Sequence, residues 1–354
     1  MNFNFNTTVP GSFPHLDGQK LCQLLVDTLD IPVWPQLPKR TFLENMYVQF
    51  SNGLPCLVIN RKAEKIVFNI QGDFLGEIEN FYVRYLAEDL DSFALPQEYA
   101  EGFYRLLDVV ADANPEWIKG QVTGPVSFGL TVTDQALRAS LYNDHLRDVI
   151  VKQMATVARW QVKTLKQVCP NVILFVDEPY LAAFGSAFIT LSRDEVIRML
   201  NEVFTAIHQE GGWAGVHCCA NTDWSMLMAT SVDILNLDAY GFAENLALYP
   251  DELRAFLDRQ GAIAWGIIPN NEDLQTTTPN ELAQRFARDI KRIVIKAEAR
   301  GVAIDPGELL TSSLITTSCG LGSTTTAIAE KALDVQQQTR GILQASSWLH
   351  ANGN

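Results

Sequence analysis

His217 and Cys219 stand one residue apart in WAGVHCC (213–219), at the end of a short, almost continuously apolar run. Such a run reads as a strand buried on both faces. Side chains two apart on a strand share a face, so His217 and Cys219 project together while Cys218 points the other way. Another soft donor, Cys319, ends the run ELLTSSLITTSCG (308–320), and Gly320 and Gly322 behind it permit a sharp turn. One imidazole and two thiolates form a borderline-soft set suited to zinc. Structural zinc sites use closely spaced ligand pairs. Ligands this distant in sequence point instead to a catalytic ion with three protein ligands and an open position. Asp238, in LNLDAY (235–240), ends a further run and is either a fourth metal ligand or a hydrogen-bonding partner that orients His217.

The charge of this set indicates its chemistry. Two thiolates and a neutral histidine bring a zinc complex to zero formal charge. A thiol entering the open position loses its proton to the metal's influence, and the donating sulfurs leave it electron-rich and nucleophilic. Zinc sites that activate water are more often built from histidines and a carboxylate. The donor set therefore predicts alkylation of a thiol rather than hydrolysis.

These residues must be delivered by strand ends, and the pattern along the chain supplies them. Short β-branched runs occur at NVILFVDEP (171–179), WAGVHCC, VDILNLDAY (232–240), AIAWGIIP (262–269) and within 308–320. Amphipathic helical patterns separate them. SRDE (192–195) and TPNE (278–281) are capping boxes. Val196, Met199, Leu200, Val203 and Ile207 follow the first at helical spacing, and Leu282, Phe286, Ile290 and Ile293 follow the second. WIKGQVTGP (117–125) reads as an earlier strand and TTVPGSFP (7–14) as the first. An eighth is expected in PCLVIN (55–60) or EKIVFNI (64–70). Strand–helix alternation implies a parallel sheet with right-handed crossovers. The expectation is an α/β protein, a (β/α)8 TIM barrel with helical and loop additions in 15–115, forming one domain over residues 1–354. Its active site would sit at the C-terminal strand ends. No Gly-x-Gly-x-x-Gly follows a strand, which disfavours an open dinucleotide-binding sheet.

Bulk properties narrow the partners. The 354 residues carry a net charge of -14, so nucleic acid and anionic membranes are not expected partners. No apolar stretch reaches the roughly 20 residues of a membrane span, and MNFNFNTTVPGSFPH lacks the layout of a signal peptide. A cytoplasmic protein is expected. The six cysteines in so long a chain then read as thiols or ligands rather than as a disulfide framework.

Taken in order, GSFPH (11–15), KGQVTGP (119–125), VDEPYL (176–181), HCCANTDW (217–224), LNLDAY (235–240) and SCGLG (318–322) resemble the catalytic half of cobalamin-independent methionine synthase. That family shares its superfamily with uroporphyrinogen decarboxylase and the methylcobalamin:coenzyme M methyltransferases. The resemblance implies zinc ligands at His217, Cys219, Cys319 and Asp238, where full-length synthases more often have glutamate. It places Asp177 against the amino group of homocysteine, Ser12 against its carboxylate, and Glu44 as a further carboxylate near the amine. Full-length synthases are about twice as long, so the chain resembles their free-standing core form. By that resemblance it would take a methyl group from a methyl-corrinoid, free or on a corrinoid protein, and pass it to homocysteine to make methionine. The alternatives are another acceptor thiol such as coenzyme M, methyltetrahydrofolate as donor, or a non-catalytic corrinoid- or zinc-binding protein. The segment WPQLP (34–38), Trp224 and Tyr240 are candidates for a flat rim against a corrin. A porphyrinogen decarboxylase would need arginine near the first strand, where GSFPHL has none.

Overall fold

The computed structural model describes residues 2–187 and 189–346. Seven parallel strands form one curled sheet with helices between them, a TIM-barrel-like α/β fold. In chain order the strands are β1 (Asn6–Thr7), β2 (Leu57–Asn60), β3 (Lys65–Phe68), β4 (Trp117–Thr123), β5 (Asn171–Asp177), β6 (Trp213–Cys218), β7 (Ile234–Leu237), β8 (Ala262–Ile268) and β9 (Ser313–Thr317). The sheet runs β1-β9-β8-β7-β6-β5-β4. Both expected capping boxes form, at Ser192 and Thr278, and each starts a long helix whose apolar stripe is buried.

Neither candidate for the eighth strand joins this sheet. β2 and β3 pair antiparallel with each other, as a separate two-stranded sheet. The gap between β1 and β4 is filled by residues 31–36. Ile31 N–H donates to Thr7 O, Lys119 N–H donates to Pro32 O, and Trp34 N–H donates to Lys119 O. Val33 bridges Lys119 and Gln36 bridges Ser12, both in parallel sense. The segment thus binds both edges and closes the ring. Pro32 and Pro35 lack the N–H groups a ladder needs, so no regular strand develops, and the same prolines mask the segment in the sequence.

Alternation along the strands divides the apolar side chains between two layers. Ile173, Phe175, Ile234, Ala262, Ala264 and Leu314 form the interior cluster with Phe3 and Ile31. Val172, Leu174, Val176, Val216, Cys218, Leu235, Leu237 and Trp265 belong to the larger core between sheet and helices. Gly215 is required inside, because a Cβ there would lie 2.2 Å from the Phe175 ring. No described helix is long and apolar enough to cross a membrane.

Closure by residues 31–36 is buttressed by the helix Glu101–Ala113, whose Gly102 would bring a Cβ to 2.0 Å from Pro35 O. Gly102→Ala should therefore destabilise the fold by about 1–3 kcal/mol through overpacking. Chemical denaturation measures this, and an unchanged midpoint would contradict the close approach.

Candidate metal centre

β5 and β6 are in register so that Asp177 lies opposite His217, and Thr123 at the end of β4 lies opposite Asp177. Their side chains continue the inward phase of Phe175 and Gly215. The expected phase of β6 holds: Cys218 faces the helices, where burial raises its thiol to about 12. Cys319 arrives from beyond β9, two residues past its last strand position. One ligand atom each from His217, Cys219 and Cys319 lies within 4.8 Å of the others. A single ion held at about 2.0–2.3 Å from nitrogen and sulfur can bridge such a span.

The donors are in a state that suits a cation. His217 is buried, yet neither Nδ1 nor Nε2 has a hydrogen-bond partner of acceptable geometry. A buried imidazole with both nitrogens unsatisfied is costly. The Cys219 thiol is lowered to about 4, first by its interaction with the Cys319 thiol and then by His217. Cys319 is raised by the same interaction and by burial. The two sulfurs lie close enough to perturb each other, as donors to one shared cation would. Burial pulls His217 down, but the Cys219 sulfur and the Asp177 charge together outweigh it and raise the imidazole. The residues fit zinc on both geometry and donor type.

These side chains form one wall of a cavity of about 290 Å³ at the C-terminal strand ends. Ser12, Glu44 and Asp177 line it beside His217, Cys219 and Cys319. Asp177 is buried, and its Oδ1 has no hydrogen-bond partner. Burial raises its carboxyl to about 6, against the pull of His217 and Lys119. Glu44 is held differently. Its Oε2 accepts from Leu37 N–H at 3.0 Å and its Oε1 from Arg40 Nε at 2.5 Å, while burial raises its carboxyl to about 7. Ser12 Oγ accepts from Gly322 N–H at 3.3 Å, which leaves its own O–H free to donate.

Asp238 lies outside the cluster of His217, Cys219 and Cys319. It caps the short helix Ala239–Phe242, with Oδ1 accepting from Gly241 N–H at 2.8 Å. Burial raises its carboxyl, and the Cys219 charge adds to this. Glu178, next to Asp177, turns away from the cavity and accepts from Val126 N–H at 2.9 Å and Ser127 N–H at 2.7 Å, fixing the start of the helix Pro125–Thr131 that follows β4. Sequence reasoning missed Asn45 and Met46, which line the cavity from the cap and first position of the short helix Met46–Gln49. It also passed over Lys119, fully buried on β4. A cation within a strand, in phase with the polar Gln121 and Thr123, was the available signal. Of the rim proposed for a corrin, Gln36 and Pro38 line the cavity, but Trp34 and Trp224 are wholly buried and offer no ring face to a ligand. Trp34 instead donates to Gln161 Oε1 at 2.9 Å.

Changing Cys219 or Cys319 to Ser should remove stoichiometric zinc from the purified chain, whereas Cys218→Ser should retain it. Metal analysis decides this, and loss of zinc in the Cys218 variant alone would reverse the assignment of strand faces.

No family model and no curated protein sequence matches the chain. Among solved structures, its fold is similar to that of a B12-independent methionine synthase from Shewanella sp. W3-18-1, solved in complex with selenomethionine. The two share 16% identity, with a TM-score of 0.52, over 96% of this chain and 97% of the other.

Proposed function

We propose that the chain, acting as one unit around this cavity, is a zinc-dependent methyltransferase that methylates the thiol of homocysteine to form methionine. The observation that carries this reading is the juxtaposition of His217, Cys219 and Cys319 with an unpartnered Asp177 oxygen in one cavity. The similar fold of a methionine synthase supports it.

Zinc, when bound, would lower the pKa of an incoming thiol and hold it as the nucleophile. His217, Cys219 and Cys319 would supply the three protein ligands, and the cavity leaves space for the substrate sulfur. Asp177 Oδ1 is a buried acceptor with no protein partner, and the ammonium of an amino-acid substrate satisfies it with a charge-assisted bond. That bond also stabilises the ionised carboxylate against the burial that raises it. The free Ser12 O–H faces the same cavity and suits the substrate carboxylate. Glu44, tied to Arg40 and Leu37 N–H, shapes the wall beside the amine and adds negative potential. Asp238 is assigned a supporting electrostatic role beside His217 and Cys219 rather than a bond to the metal, since it lies outside the cluster of three donors and caps a helix through Oδ1.

In the transfer the thiol proton is released and a new S–CH3 bond forms. The bond from methyl to carrier breaks with its electron pair left on the carrier. Alignment of sulfur, methyl and leaving atom at the cavity mouth is the main contribution of the fold. For the donor, the neighbour's B12-independence and the burial of Trp34 and Trp224 favour a methylated reduced folate over a methyl-corrinoid. An acidic pair of carboxylates at the cavity, Asp177 and Glu44, favours an amino-acid thiol over a sulfonated one.

Asp177→Asn should raise KM for homocysteine by roughly 10–100-fold, the value of a lost charge-assisted bond, while KM for the methyl donor stays near that of the parent. Steady-state kinetics with each substrate varied in turn measures this. An unchanged homocysteine dependence would remove Asp177 from the acceptor site.

A further inference from the structure

Cys319 is the ligand with the least regular support. It lies past the end of β9, in a turn with Gly320 and Gly322. What holds that turn comes from the opposite end of the chain. Leu321 N–H donates to Ser12 O at 2.9 Å, and Gly322 N–H donates to Ser12 Oγ at 3.3 Å. A Cβ at Gly320 would lie 2.2 Å from Ser12 Oγ, so the two turns touch with no space between them.

The Ser12 turn is itself fixed from below. Gly11 has φ of +137°, and a Cβ there would lie 2.7 Å from the Gln121 side chain. Gln36 N–H donates to Gly11 O, and Phe13 N–H donates to Gln36 O, both at 2.9 Å. Beneath them the Lys119 ammonium donates to Pro10 O at 2.8 Å and lies 4.3 Å from the centre of the Phe175 ring. Lys119 is wholly buried and takes part in none of the chemistry proposed above. Burying a cation is expensive unless its bonds are satisfied, so this carbonyl contact is a strong restraint on the turn.

We propose that Ser12 is a positioning residue for Cys319, with Lys119 as its buried anchor: the β1 turn sets where the third metal ligand stands. This rests on the metal reading above but concerns a separate link, because neither residue is a ligand. The ordering runs Lys119, Pro10, Ser12, Gly320, Cys319. Residues that orient metal ligands without touching the metal typically change affinity by roughly 10–100-fold when altered.

The test loads the full chain with Co(II) and reads the thiolate-to-cobalt charge-transfer absorption, alongside zinc affinity by chelator competition. The parent should show two thiolates. Gly320→Ala should weaken zinc by roughly tenfold or more and cut the charge-transfer band towards the one-thiolate level of a Cys319→Ser control. Adding Ser12→Ala to Gly320→Ala should recover part of both signals, because the new methyl then meets a Cβ at 3.5 Å instead of a hydroxyl at 2.2 Å. Lys119→Met should mimic Gly320→Ala, and Lys119→Arg should lie between it and the parent. Circular dichroism screens each variant for folding, and if Lys119→Met does not fold, the Gly320 pair and Lys119→Arg decide. Full two-thiolate absorption with parental zinc affinity in Gly320→Ala, or no recovery in the double variant, would overturn the proposal while leaving the metal reading intact. A parent chain that binds no metal would overturn both.

Discussion

Everything at the candidate site depends on the two-residue alternation of a strand buried on both faces. At the end of β6 that alternation sends His217 and Cys219 to the interior and Cys218 to the helices. The same rule runs across the sheet, since Phe175 and Asp177 share the inward phase on β5 and Lys119, Gln121 and Thr123 share it on β4. Parallel register then brings those inward positions to the same height at the strand ends. A slip of one residue in β6 would bury His217 and Cys219 against the helices and turn Cys218 to the cavity.

Below the mouth the interior is apolar and filled, and above it the groups are polar and tightly coupled. Phe175 occupies the space left by Gly215, which gives the metal site a hydrophobic floor. That floor explains the electrostatics. Burial raises Asp177 and holds Lys119 down to about 7, yet the two charges support each other across the interior. Cys219 is the exception, with its thiol lowered because its neighbours are another sulfur and an imidazole rather than solvent. Anionic sulfur, an unsatisfied imidazole and a lone carboxylate oxygen together make a place that favours cations, both the metal and an ammonium.

Much of this was legible in the sequence where regular periods operate. Six of the seven sheet strands fall within apolar runs read from the sequence pattern, while the first, expected at 7–14, is paired only at Asn6–Thr7. The two capping boxes marked helices that form as expected. The inward placement of His217 and Cys219 followed from spacing, and Ser12, Glu44 and Asp177 do line the same cavity. The eighth segment was not legible, because proline removes the hydrogen-bond pattern that makes a strand recognisable while leaving its position in the ring intact. The hairpin of β2 and β3 carried a stronger strand signal and drew the assignment away. Trp34 and Trp224 looked like surface aromatics in proline-rich or polar stretches, but their rings fill the core. For Asp238, chain position indicated a place near the donors but could not show that it caps the next short helix and stands outside their cluster.

The seam filled by residues 31–36 leaves the ring mechanically uneven. Between β4 and β5 seven consecutive residues are paired, whereas the seam is joined to each edge through scattered single bonds. The loop leaving the seam carries Gln36, Pro38 and Glu44 into the cavity wall. The seam thus links ring closure to the metal donors: Gln36, which lines the cavity, is bonded to Gly11 and Phe13 on either side of Ser12, and the Ser12 turn in turn holds Leu321 and Gly322 next to Cys319.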